Sequence, residues 1–187
     1  MAEMTLTAAP VLGTDLTIGG NRIVERPDLA LVSAAVPLGG DAAFAAALKK
    51  GWGLKMPGPK LSEVSGETRA IRTTGDQIML IFPHATPDAE RVVQGRFAGA
   101  AYTTDQTDVW LVLEISGPDT LAALERLCPL DLDAAAFPVG AAARTVMEHM
   151  GGLIVRLGPD RFWLMSASSS ARSFLHAVEL SYRYVAA

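Results

Sequence analysis

The stretch "DVWLVLEISGPDTLAALERL", residues 108–127, decides how the rest of the chain is read. Its first eight residues form an apolar run too short and too rich in β-branched and aromatic side chains for anything but a strand. "SGPD" is a turn, and Leu121, Leu124 and Leu127 then recur at helical spacing on one face. The same order occurs earlier: "LALVSAAVPL" (29–38) leads into "GGDAAFAAALKKG", where Asp41 suits the first turn of a helix and the lysines suit its last.

Working outward, each of these strand–helix pairs is followed by the same kinds of element. After the first come a loop from Trp52 to Gly66, the strands "ETRAIRT" and "QIMLIF" around Gly75–Asp76, and a helix, "TPDAERVVQGRF", with Thr86 as N-cap and Pro87 at its first position. After the second come "ARTVMEHM" and "GGLIVRL" as extended segments, the turn "GPD", the strand "RFWLMSA" and a last helix from "SSSARSF" onward. Asp41 and Asp119 are 78 residues apart, and Asp76 and Asp160 are 84 apart, which differ only by loop length. The expected fold class is therefore α+β: two pseudo-repeated β-α-β-β-α units with antiparallel sheets. The expected boundaries are an extended arm at 1–27, which shows no sustained period, and a single α+β domain at 28–187, with repeats at about 28–105 and 106–187.

Composition narrows the function. The chain has 187 residues, 50% hydrophobic and 19% charged, with mean hydropathy +0.26. Soluble domains usually carry about 25% charged residues, so the apolar surplus points to burial against partners. The longest apolar runs, such as "VWLVLEI" (109–115), fall short of the roughly 20 residues of a membrane helix, and no signal peptide is read at the N-terminus; a cytoplasmic protein is expected. Net charge is −4 with a pI near 5.3, and the basic residues read as scattered, which argues against nucleic acid. The one cysteine, Cys128, closes a helix before Pro129 and reads as a packing residue.

Residues 149–178, "HMGGLIVRLGPDRFWLMSASSSARSFLHAV", look most like a working site and do not survive inspection as one. "GPDRF" is a hairpin turn between apolar runs. Ser168, Ser169 and Ser170 lack a nucleophile elbow and stand where a helix wants capping hydroxyls. His84, His149 and His176 have no metal-ligand spacing. The paired glycines 19–20, 39–40 and 151–152 complete no phosphate-binding motif; the helix start at Gly39–Gly40 is at most a weak anion site. No catalytic, cofactor-binding or metal residue is assigned. The loop Trp52 to Gly66 carries Trp52, Leu54, Met56 and Leu61 among glycines and prolines, and with the N-terminal arm it is expected to dock partners, unless Trp52 folds back into the core.

From residue 108 to 178 the order of features is more specific than any short motif. Gly117, Asp119, "CPLDL" (128–132), "RTVMEHMGGLI" from Arg144 and "GPDRFWLMSASSSARSFLHAV" resemble the gamma subunit family of heterotetrameric sarcosine oxidase. More distantly they resemble the folate-binding aminomethyltransferase of glycine cleavage. The resemblance implies an aminomethyltransferase-like fold and membership of a complex that demethylates sarcosine to glycine, with tetrahydrofolate and oxygen. Its partners would be the alpha, beta and delta subunits, with flavins, NAD, tetrahydrofolate and zinc held there and none in this chain. One departure stands out. Where the aminomethyltransferases place acidic residues after the hairpin glycine, Gly152 is followed by "LIVRL", and only Asp131 remains in the matching turn. The rival readings are a stand-alone folate-dependent aminomethyltransferase-like protein, which would need Asp131, and an interaction module outside one-carbon metabolism.

Overall fold

The computed structural model describes residues 9–84 and 87–186. The chain divides into two compact units, one of Pro27–Thr107 and one of Pro10–Arg26 with Asp108–Ala187, where the sequence reading expected a single domain.

In the first unit, β3 (Leu29–Ala35) leads to α1 (Asp41–Trp52), then β4 (Ser62–Ser65), β5 (Thr68–Arg72), β6 (Gln77–Pro83), α2 (Ala89–Phe97) and β7 (Tyr102–Asp105). The strands form an antiparallel sheet in the order β4-β5-β6-β3-β7. Phe44, Leu48 and Trp52 repeat every fourth residue along α1 and so share its buried face. They meet Phe97 of α2, whose ring lies 4.9 Å from that of Phe44 and 5.1 Å from that of Trp52. Gly53 ends α1 in the left-handed conformation, donating its N–H to the Lys49 carbonyl. Helix α2 starts at Ala89 with Asp88 at the cap position, so Pro87 lies outside it; Thr86 lies outside the described residues.

In the second unit, β8 (Trp110–Ser116) leads to α3 (Thr120–Leu127), β9 (Ala142–Met147), β10 (Met150–Gly158), β11 (Arg161–Ala167) and α4 (Ala171–Val185). Helix α3 stops at Cys128, which is extended because Pro129 follows. Helices α3 and α4 are tied by buried bonds: the Ser181 hydroxyl donates to the Ala123 carbonyl at 2.8 Å, and the Thr120 and Tyr182 hydroxyls share a bond of 2.9 Å.

The expected arm is the main correction. Residues 15–25 form a hairpin of β1 (Asp15–Ile18) and β2 (Asn21–Glu25), and β2 pairs with β8 to give the sheet order β1-β2-β8-β11-β10-β9. Gly19 and Gly20, with φ of 55° and 86°, make the two-residue turn that antiparallel strands favour. The buried Glu25 carboxylate then gathers the preceding segment, accepting the N–H groups of Val11, Leu12 and Gly13 at 2.5–2.9 Å.

The repeat is present, each copy being β-α-β-β-β-α: the three later strands of the second copy coincide with the three extended segments expected there, and the first copy has β4 where a loop was expected. The strand runs β4-β5-β6-β3 and β9-β10-β11-β8 have the same order. In each, the residue after the first strand donates its N–H to the carbonyl of the hairpin aspartate, Val36 to Asp76 at 2.8 Å and Gly117 to Asp160 at 3.2 Å. The next place in the sheet is filled in the first copy by β7, which follows its last helix, and in the second by β2, from the segment that precedes both copies.

Candidate functional site

The stretch 149–178 is a hairpin and a helix, and its bonded polar side chains hold the fold together, with partners that include the Asp108, Leu132 and Phe137 carbonyls and the Glu114 carboxylate. Glu148 and His149, with φ of 44° and 67°, are the two turn residues between the paired Met147 and Met150, and both side chains are exposed. A turn of this kind normally carries glycine or asparagine, so the "EH" signal was hard to recognise as one. Gly152 is a packing glycine: a Cβ there would meet the Met165 carbonyl oxygen at 2.4 Å and the Met147 methyl at 2.6 Å. Ser168 donates its hydroxyl to the Asp108 carbonyl at 2.8 Å, holding the entry to β8. The expected capping by serines is not seen; Ser170 occupies the cap position of α4 without a side-chain bond. A short 3₁₀ turn over Ser168–Ser170 precedes α4, and the Ser168 hydroxyl is spent on the Asp108 carbonyl.

Arg156 is the residue that the sequence reading passed over. It is buried, and its guanidinium donates to carbonyls: Nε to Gly158 at 3.2 Å, Nη1 to Leu132 and Phe137 at 2.9 and 2.8 Å, Nη2 to Pro159 at 2.8 Å. It therefore clamps the "CPLDL" turn to the β10–β11 hairpin. Arg72, 84 residues earlier, does the same in the first unit: Nε to Thr74, Nη2 to Gly75, and Nη1 back to Pro57 at 3.2 Å. The two arginines have the same three-way pattern, two and three residues ahead and one loop behind, which no periodicity of apolar residues could reveal.

Gly117 and Asp119 also serve the fold. Gly117, at φ 134°, lets Asn21 approach so closely that a Cβ would lie 2.6 Å from the Asn21 Cα. Asn21, fully buried, donates to the Asp119 carboxylate at 2.8 Å and accepts the Asp119 N–H at 2.9 Å. The glycine and the aspartate thus fasten the β1–β2 hairpin to the start of α3. Cys128 is buried in the core of this unit, and burial pushes its thiol pKa up.

The remaining candidates are dispersed. His84 lies 2.7 Å from Asp88, and that bond holds the Asp88 carboxyl below its ordinary range; His149 sits in its turn and His176 is exposed on α4. Among the described residues no cluster of three metal-ligating side chains occurs. No helix among them is long and apolar enough to cross a membrane. Asp131 is exposed and accepts the Asp133 N–H at 3.0 Å in its own turn, on an open groove with Leu121, Glu125 and Leu130. The docking loop is corrected: Trp52 and Leu54 are buried in the first unit's core and Met56 packs against it, because the left-handed Gly53 turns the chain back under α1. Of its large apolar residues, Leu61 and Val64 are the exposed ones.

Residues 38–181 match the profile of the sarcosine oxidase, gamma subunit family. The chain belongs to that family. It is 32% identical over 129 residues to a sarcosine oxidase subunit gamma from Arthrobacter sp., covering 67% of this chain and 61% of the relative, and 30% identical over 139 residues to the one from Corynebacterium sp. strain P-1, covering 74% and 67%. The chain thus aligns with about three fifths to two thirds of the length of these gamma subunits. Its fold is similar to that of a chain in heterotetrameric sarcosine oxidase from Corynebacterium sp. U-96, with TM-score 0.78 at 21% identity, covering 89% of this chain and 86% of that one. It is also similar to aminomethyltransferase T of the glycine cleavage system from Bartonella henselae, with TM-score 0.57 at 14% identity, covering 88% and 49%. The aminomethyltransferase-like α+β fold is therefore shown for this gamma-subunit relative. The segment after Gly152 is apolar and buried apart from Arg156, whose guanidinium is engaged by carbonyls, and the Asp131 carboxylate is engaged in its own turn.

Proposed function

We propose that this chain is a non-catalytic subunit of a sarcosine oxidase complex, with a structural role in its assembly. The reading rests on family membership and on one observation: Gly117, Asp119, Cys128, Gly152 and Arg156, which carry the resemblance or lie within its motifs, all serve packing or backbone bonding inside the chain. The complex demethylates sarcosine to glycine with tetrahydrofolate and oxygen. Flavins, NAD, tetrahydrofolate and zinc belong to its alpha, beta and delta subunits, which are this chain's partners.

The test is to purify the chain alone and to co-express it with the other subunits. Alone, it is expected to be colourless, to leave sarcosine unoxidised and to give no saturable tetrahydrofolate binding; co-expressed, it is expected to co-purify with them. Stoichiometric flavin on the isolated chain would overturn the reading. Micromolar folate binding abolished by Asp131→Ala would favour a stand-alone aminomethyltransferase-like protein instead.

A further inference from the structure

All four lysines of this chain, Lys49, Lys50, Lys55 and Lys60, fall within twelve residues, and no acidic residue occurs between Asp41 and Glu63. The sequence reading took the basic residues as scattered because the twelve arginines are. In the structure every one of the four is exposed, and none is ion-paired among the described residues. Arg96 of α2 joins them: it lies over the Trp52 ring at 5.3 Å and donates to the Gly51 carbonyl at 3.4 Å, which brings the ends of α1 and α2 together. The carboxylates on the adjoining β4–β5 hairpin are Glu63 and Glu67.

Part of this charge has a local explanation. Lys49, Lys50 and Arg96 stand in the last turns of their helices, where cations offset the helix dipole. Lys55 and Lys60 lie outside any helix and have no such reason. Nor is the loop slack, because Trp52 and Leu54 anchor it in the core and Pro57 is held by Arg72. The result is a fixed basic surface on a chain of net charge −4, with the exposed Leu61 and Val64 beside Lys60 as apolar contact points.

We infer that this surface, centred on Lys49, Lys50 and Lys55, docks an acidic face of a larger subunit of the same assembly. The inference rests on the assembly role proposed above. A protein partner fits better than nucleic acid because the one aromatic among residues 49–64, Trp52, is buried and gives bases nothing to stack on, and the chain's overall negative charge opposes a polyanion at long range. Desolvated charge complementarity of this kind sets register and association rate, and weakens with salt.

The test co-expresses the full chain with a tagged partner subunit and measures how much chain is retained, at about 50 and about 300 mM NaCl. Lys49→Glu/Lys50→Glu/Lys55→Glu is expected to reduce retention about tenfold or more, with the melting temperature of the isolated chain lowered by no more than the few degrees that reversing two charges at the end of α1 costs. The neutral triple Lys→Gln variant is expected to fall between it and the original, and the triple Lys→Arg variant to be retained normally. Arg144→Glu/Arg161→Glu/Arg172→Glu, which changes net charge equally on the second unit, is expected to assemble normally. Normal retention of the Lys→Glu variant, or equal loss in the arginine control, overturns the inference while leaving the assembly role intact. Failure of the unmodified chain to co-purify overturns both. Lysine-dependent binding to a DNA duplex, with assembly unaffected by the substitutions, would assign the surface to nucleic acid instead.

Discussion

Arg156→Ala should destabilise the chain far more than Arg72→Ala, although the two side chains make the same pattern of bonds. Arg156 is 4% exposed and donates four hydrogen bonds to carbonyls, whereas Arg72 is only partly buried and water can replace it. Hydrogen bonds to a charged group contribute about 1.5–3 kcal/mol each when measured singly. The guanidinium has lost its hydration, which costs several kcal/mol, so the net effect of truncation is smaller than four such bonds, at about 3–5 kcal/mol. For a chain of this size each kcal/mol moves Tm by roughly 2–4 °C, so a fall of roughly 10 °C is expected. The same change at Arg72 should cost about 1 kcal/mol. Arg156→Met separates bonding from packing. It keeps most of the volume but leaves the carbonyls of Leu132 and Phe137 without their donor, so it should still cost about 2–3 kcal/mol. Urea unfolding followed by circular dichroism gives all three values. If Arg156→Met is within about 0.5 kcal/mol of the original, or if Arg156→Ala and Arg72→Ala cost the same, the clamp is a packing device and the reasoning fails.

Gly117→Ala should lower stability by about 3 kcal/mol or more, since the new methyl would press on the Asn21 backbone at a positive φ; a melting curve matching the original would show that the hairpin can retreat without loss. Cys128 should react with a thiol reagent only as fast as the native protein opens, because it is 6% exposed and its thiol is pushed up by burial; labelling at the rate of a free thiol contradicts this. Tyr182 is pushed up to about 12, first by burial, against which its bond with Thr120 works, while Asp119 adds to the rise. The unfolded chain therefore loses this proton near pH 10 and the folded one near pH 12, so the stabilisation is full below pH 10 and is lost between pH 10 and 12, by about 2–3 kcal/mol. Tyr182→Phe should flatten that part of the urea-midpoint profile; an unchanged profile would mean another group titrates.

What could be read in the sequence was what repeats along the chain. Apolar runs broken by Gly-Asp and Gly-Pro-Asp turns located β5, β6, β10 and β11, and the leucine spacing located α3. The β1–β2 hairpin was missed although "DLTIGGNRIVE" alternates around a Gly-Gly pair, because β1 is only four residues, with Leu16 and Ile18 half-buried between exposed polar ones, and its docking through Asn21 gave no apolar run. Strand β4 was missed because in four residues it has one apolar side chain, Val64, and that one is exposed. Arg156 was invisible for a different reason: its partners are carbonyls, and every residue has one.

The apolar surplus now points somewhere other than expected. The sequence argument was that a chain with 19% charge must bury its excess against partners. Strands β3, β6, β8, β10 and β11 are buried at consecutive positions, so their alternate residues do not face outward as polar side chains do in a half-exposed sheet. Trp52 and Leu54, the residues that seemed most available to a partner, are buried as well. Most of the surplus is internal, and the large exposed apolar side chains that remain are separated along the chain, from Leu38 and Leu61 to Val146 and Tyr184. Hydrophobic area is thus a poor guide to the docking surface of the assembly role proposed above. Charge is the better one, because it is the property the surface distributes unevenly: every lysine lies between residues 49 and 60, and every one is exposed. A partner that recognises this chain by that feature must be acidic where they meet, and its hold must weaken as salt rises.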